Sequence, residues 1–176
     1  MTTPQTTVDL VAKPRLSSGA PPRPSLAHVA FSFLGGLLAI AAVGSLTDVT
    51  GTPLVLGSFG ATCVLVFGYP ESPFSQPRHV IVGHVLSTTT GVVVAALLGY
   101  HWWSMALALA LAIALMQLTR TVHPPAGSNP LIVMLGHQSW AFIVKPTLLG
   151  AVIVTLVALL FNNAVPARRG YPKYWY

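Results

Sequence analysis

Apolar residues run through this chain in long blocks, with few polar breaks. Residues 26–46, 80–99, 102–119 and 141–161 each approach the roughly 20 apolar positions that carry a helix across a bilayer. Strict alternation, the mark of a membrane β-strand, occurs only in residues 107–112, inside a longer charge-free run. Two more apolar blocks are interrupted. Residues 53–69, PLVLGSFGATCVLVFGY, contain Gly57, Gly60 and Gly68; residues 123–137, HPPAGSNPLIVMLGH, hold three prolines and two glycines. Irregular backbone at membrane depth persists only where protein or a water-lined cavity satisfies its polar groups. The expected fold is an all-α polytopic membrane protein with four long transmembrane helices and two Gly/Pro-broken membrane segments.

Charge supports this pattern. Only 7% of the 176 residues are charged and 53% are hydrophobic, whereas a soluble domain carries about a quarter charged residues. Between Ser25 and Ala167 the charges are Asp48, Glu71, Arg78, Arg120 and Lys145. A soluble enzyme, a disordered chain and a coiled coil are excluded. The net charge of +6 comes mainly from the tails, through Lys13, Arg15, Arg23, Arg168, Arg169 and Lys173. Basic tails suit cytoplasmic anchoring, and no nucleic-acid partner is expected. Residues 1–25 are expected to be a disordered cytoplasmic tail, 26–161 the membrane domain, and 162–176 a basic aromatic tail. The single cysteine, Cys63, reads as a small buried hydrophobe.

If both broken segments cross, there are six spans, with Arg78, Arg120 and both termini in the cytoplasm and Lys145 the lone exception. If both re-enter, there are four spans, and Arg78 and Arg120 move outside. The positive-inside rule favours six. The segments then divide into halves, 26–99 and 102–161, each reading long helix, broken segment, long helix. Three crossings per half make a 3+3 inverted repeat, and paired interrupted segments point to a transporter's binding site.

The run from Arg120 to Pro130 is the most unusual. Pro124 and Pro125 end any preceding helix, and a new one can start near Ser128 or Asn129 with Pro130 in its first turn. Freed N–H groups near Gly127, with Arg120 and His123, make a positively polarised pocket for a small anion. The alternative is a capped helix start at the interface, with Arg120 on headgroups. In the first half, Gly57, Ser58, Gly60 and Thr62 offer a similar device, or else a close helix contact. His84, Ser87, Thr88 and Gly91 share one helix face, a stripe that either lines a pathway, with His84 relaying protons, or bonds neighbouring helices. Lys145, four residues into the last block, reads as an interfacial anchor, and Arg78 with Glu71 as an interfacial ion pair. Enzyme signatures are missing: there is no Walker loop and no HExxH, and GSFG does not match GxSxG. No enzymatic activity, metal or cofactor is expected.

The run His123-Pro124-Pro125-Ala126-Gly127-Ser128-Asn129-Pro130 resembles the signature of the HPP integral membrane family. Gly57-Ser58-Phe59-Gly60-Ala61-Thr62, then Ser72-Pro73, Gln76-Pro77-Arg78 and Gly83-His84, resemble that family's second block. The family is usually described with four membrane helices, and members from cyanobacteria and chloroplasts are described as nitrite transporters. The resemblance implies a transporter or channel for a small inorganic anion, with nitrite as substrate. The residues themselves reach only a small anion. Ser58, Ser128 and Asn129 are expected to donate hydrogen bonds, and Arg120 and His123 to supply the field. A bacterial inner membrane, both termini cytoplasmic, and a homo-oligomer are expected. The alternative is a non-transporting membrane module, such as a haem-binding or scaffold subunit.

Overall fold

The computed structural model describes Gly19, residues 22–164 and residues 170–175, which are helical with no strand among them. Most of the expected tail over residues 1–25 lies outside the described residues, as do residues 165–169. Six helices follow in order: α1 (Leu26–Thr50), α2 (Gly57–Gly68), α3 (Pro77–Leu98), α4 (Trp102–Leu118), α5 (Asn129–Leu135) and α6 (Leu149–Ala164). Short 3-10 turns at Pro73–Ser75 and Pro124–Ser128 lead into α3 and α5, and a π-helical turn at Ile143–Leu148 leads into α6.

Three stretches are long and apolar enough to cross a bilayer unaided: Leu26–Thr50, Pro77–Leu98 and Ile143–Ala164. The expected fourth is shorter. α4 has 17 residues, roughly 25 Å at 1.5 Å per residue, because the chain reverses at Arg120, where φ is 55°. The last span is also not one regular helix. Lys145 leaves helical geometry at φ −121°, ψ 110°, so it stands exposed at a kink before α6 and not within it.

Contacts between elements trace the chain's course. The start of α1 meets the end of α2, where His28 Nε2 lies 3.0 Å from the Gly68 carbonyl. Near this end Arg78 donates to the Thr119 carbonyl at 3.0 Å, and Asn162 donates to the Val66 carbonyl at 2.9 Å. At the opposite end the Leu54 N–H donates to Thr47 at 3.0 Å, and the Tyr100 and His137 rings meet at a 32° tilt with centroids 4.0 Å apart. Between Thr119 and His137 the chain follows the length of α3. Each of the six segments therefore runs from one end of the bundle to the other, and both described termini share an end. Single cysteines at Arg120 and Ser139, in a Cys63→Ser background, are expected to react with an impermeant maleimide from opposite sides of oriented vesicles. Labelling of both from one side would overturn the six-pass path.

α2 spans only about 18 Å, and its last carbonyls, packed against α1 and α6, need donors other than water. Val66 would bond residue 70 in a continuing helix, but Pro70 has no N–H. Asn162 of α6 supplies that bond at 2.9 Å. Ser32 of α1 donates to the Phe67 carbonyl at 3.0 Å, and His28 covers Gly68. Around these bonds α1, α2 and α6 bury Val43, Phe59, Val66, Phe67, Val154 and Ala158.

The described part of the C-terminal tail folds back onto the α2–α3 connection. Tyr171 donates to the Ser75 carbonyl at 2.7 Å, and the Lys173 N–H donates to Gln76 Oε1 at 2.7 Å. Burial pushes the Tyr171 phenol well above its ordinary range, so it stays a donor. Lys173 also pairs with Glu71 at 2.9 Å. That pair replaces the one expected between Glu71 and Arg78, because Arg78 instead turns to Thr119.

Candidate functional site

Three elements meet at mid-bundle: α2, α3 and the segment from His123 to Asn129. α3 makes room for that segment with small residues. Gly83 lies against His123 and Gly91 against Pro130, while Ser87 donates to the Ala126 carbonyl at 2.6 Å. Positions 83, 87 and 91 repeat every four residues and so form one row on the helix.

Beside this row is a cluster of fully buried polar side chains: Thr62, His84, Thr88, His123, Asn129 and Thr147 are each 0% exposed. Thr62 Oγ1 lies 2.9 Å from His84 Nε2 and 2.9 Å from His123 Nε2. His123 Nδ1 donates to the Phe74 carbonyl at 2.7 Å. Asn129 Nδ2 lies 3.0 Å from His84 Nδ1 and 2.8 Å from Thr88 Oγ1. Thr88 reaches Thr147 Oγ1 at 3.2 Å. The two imidazoles meet edge to face, with centroids 5.0 Å apart. Polar groups at this depth find partners in one another because lipid offers none.

Two polar atoms here have no partner, Ser58 Oγ and Asn129 Oδ1. Ser58 is 3% exposed and sits one turn before Thr62, whose hydroxyl lies 3.1 Å from the Ser58 carbonyl. A groove of about 530 Å³, open to the outside of the bundle, lies between the two broken segments, lined by Ser58, Ala61, Leu65, Pro124, Pro125 and Ser128 among others, with Ala61 and Pro124 exposed. The first turn of α2 borders it, and no side chain caps that turn.

Of the residues singled out in the sequence, the structure brings Ser58, Thr62, His84, Thr88, His123 and Asn129 together. Ser128 lies at the groove wall with its hydroxyl on the Pro125 carbonyl at 2.8 Å, and Gly127 is half-buried beside it. Gly57 also borders the groove but is exposed, and Gly60 is exposed on a different groove, between α1 and α2. Arg120 does not join. It is exposed beyond the end of α4 and makes no contact with the buried cluster among the bonds that hold it together. The helix start expected at Ser128 or Asn129 is α5, with Pro130 in its first turn, but α5 has only seven residues. Sequence reading missed Thr147 and the Phe74 carbonyl. Only the tertiary fold brings them to residues 59 and 49 positions away.

The family described as HPP, transmembrane region, matches residues 21–172. Two transmembrane proteins of Dictyostelium discoideum are similar to this chain. One is 40% identical over 168 residues, covering 89% of this chain and 59% of the relative. The other is 36% identical over 169 residues, covering 89% and 54%. The chain thus spans little more than half the length of these relatives. No solved structure matches it. With two blocks of matching residues meeting at one buried site and the family's match running through both, the chain belongs to the HPP transmembrane family.

Proposed function

We propose that this membrane protein is a transporter or channel for a small inorganic anion, with nitrite as substrate. The observation that carries the reading is Ser58 Oγ, a buried hydroxyl without a partner beside the groove between α2 and the HPP segment. An anion leaving water must meet donors already in place, since reorienting them costs energy. Ser58 and the uncapped first turn of α2 are such donors on one wall. Ser128 lines the other, and Thr62 of the histidine cluster lies one turn beyond Ser58 and donates to its carbonyl. Two interrupted segments facing one another across a bundle suit a carrier built as a 3+3 inverted repeat. A bacterial inner membrane with both termini cytoplasmic, and a homo-oligomer, complete the reading.

The test is initial nitrite uptake into proteoliposomes, with protein-free vesicles as baseline and with nitrate, formate and chloride as competitors. Ser58→Ala keeps the side-chain volume nearly constant but removes the hydroxyl. A hydrogen bond to a charged group contributes about 1.5–3 kcal/mol, so flux should fall by roughly 10- to 100-fold. Wild-type uptake no faster than protein-free vesicles would end the nitrite reading.

A further inference from the structure

The hydrogen bonds around Thr62 have a direction, and the acceptors fix it. A carbonyl oxygen only accepts, so His123 must carry its proton on Nδ1, facing Phe74. Its Nε2 is then an acceptor, and the one hydrogen of the Thr62 hydroxyl is shared between it at 2.9 Å and the Ser58 carbonyl at 3.1 Å. At the other ring, Asn129 Nδ2 only donates; its two hydrogens are shared among Thr88 Oγ1, the His84 carbonyl at 3.3 Å and His84 Nδ1, so Nδ1 is an acceptor and Nε2 carries the hydrogen toward Thr62. The chain is therefore polarised one way: His84 Nε2–H to Thr62 O–H to His123 Nε2. It continues at both ends. Thr147 and Thr88 extend it toward the far end of the bundle, and the Phe74 carbonyl brings it to the α2–α3 connection. From Thr147 to the Phe74 carbonyl this polar line is interrupted as a proton path at Asn129, because a hydroxyl or imidazole can pass a proton on and a carboxamide cannot.

We propose that His84, Thr62 and His123 form a proton relay, with the Asn129 amide as its gate, which carries a proton across together with each anion. The proposal rests on the transport reading above. A proton bonding to His84 Nδ1 releases the Nε2 proton to Thr62 Oγ1. Thr62 passes its own proton to His123 Nε2, and His123 gives up its Nδ1 proton to water at the Phe74 side. One proton enters and one leaves. The step leaves both imidazoles as the opposite tautomers, with His123 Nδ1 bare against the Phe74 carbonyl; hops back along the chain would undo the transfer, so both rings must turn before the next proton enters.

Asn129 gates the first step. While its Nδ2 occupies His84 Nδ1, no proton can bind there. Turning the amide over offers Oδ1 instead, which accepts an N–H from a protonated His84. That oxygen is buried and without a partner in the resting arrangement. Asn129 follows directly on Ser128 and the prolines that wall the groove, so filling the groove and turning the amide involve one stretch of chain. The two imidazoles are too close for both to hold a charge easily, which limits the relay to one proton at a time. An anion beside Ser58 favours that proton, and the proton equally favours the anion.

Other ionisable groups near the pair are few among the described residues. On α3, His79 donates from Nδ1 to the Val122 carbonyl at 2.8 Å and meets Tyr174 at 3.2 Å. α2 contributes Cys63, and α5 and α6 hold no ionisable side chain. Lys145 on the π-helical turn is exposed, as is Glu71, which pairs with Lys173.

The experiment uses proteoliposomes holding a trapped pH dye, clamped with potassium and valinomycin at pH 8, with labelled nitrite counted in parallel. The wild type should move about one proton per nitrite above the protein-free baseline. Thr62→Val should cut that ratio at least tenfold, and Thr62→Ser should restore it. A ratio unchanged in Thr62→Val, or no proton movement in a wild type that carries nitrite, would overturn the relay. Nitrogen-15 NMR of histidine-labelled protein in lipid tests the relay independently of the substrate. His84 should be the Nε2–H tautomer and His123 the Nδ1–H tautomer. The reverse assignment at either ring would overturn the relay even if nitrite is carried, and the expected assignment would support it even if nitrite is not.

Discussion

Gly91→Val and Gly83→Val are expected to leave little folded protein, and Gly44→Ala to leave its amount unchanged. A Cβ on Gly91 would lie 2.8 Å from Pro130 Cα and 3.2 Å from Val133 Cβ. One on Gly83 would lie 2.8 Å from His123 Cβ and 3.0 Å from the Thr121 carbonyl. These obstacles are backbone or its first carbon, so no rotamer change relieves them. The HPP segment must move off α3, which breaks the Ser87–Ala126 bond and pulls His123 and Asn129 from their partners. Overpacking alone costs about 1–3 kcal/mol, and each buried polar group left unpaired adds about 1–3 kcal/mol. Nothing lies within 4 Å of a Cβ on Gly44, so that variant controls for loss of glycine itself. Thermal unfolding in detergent, read by size-exclusion fluorescence, checks the ordering. Should Gly91→Val melt with the wild type, close docking on α3 would be wrong.

The same row explains what was legible in the sequence. His84, Ser87, Thr88 and Gly91 recur at helical spacing, so a polar face on α3 could be read directly. Its division of labour could not. Gly83, Ser87 and Gly91 face the HPP segment, whereas His84 and Thr88 turn to Thr62 and Asn129. That distinction depends on how α3 is rotated against its neighbours. The prolines at 124, 125 and 130 announced a broken segment, and the break is there, as a 3-10 turn followed by α5. Arg120 stands apart from the cluster for a related reason. Three residues from His123 in sequence suggests one depth, but the positive φ at Arg120 reverses the chain and leaves the guanidinium outside. The tail strap was invisible because Tyr171, Ser75, Lys173 and Gln76 are distant in sequence and have no shared period.

Two buried asparagines separate what holds the fold from what serves transport. Asn129 and Asn162 are each 0% exposed, and in each Oδ1 has no partner. Asn162 Nδ2 donates to the Val66 carbonyl, replacing the N–H that Pro70 lacks. Asn129 Nδ2 serves His84 Nδ1 and Thr88 instead. Leucine matches asparagine closely enough in volume to fill either site, so the loss is mainly the amide. Asn162→Leu strands one helix carbonyl and should cost about 1–3 kcal/mol, lowering the amount of folded protein. Flux per folded molecule should stay at the wild-type value, because that carbonyl is turned to Asn162 of α6 and does not serve the His84 cluster. Asn129→Leu strands the acceptor on His84 and removes the donor to Thr88, so its stability loss should be at least as large. Its flux per folded molecule should also fall by tenfold or more, since His84 loses the partner that fixes its tautomer. Nitrite uptake normalised to monodisperse reconstituted protein separates the two effects. Equal normalised flux in both variants would make Asn129 a second structural amide and move the pathway away from His84.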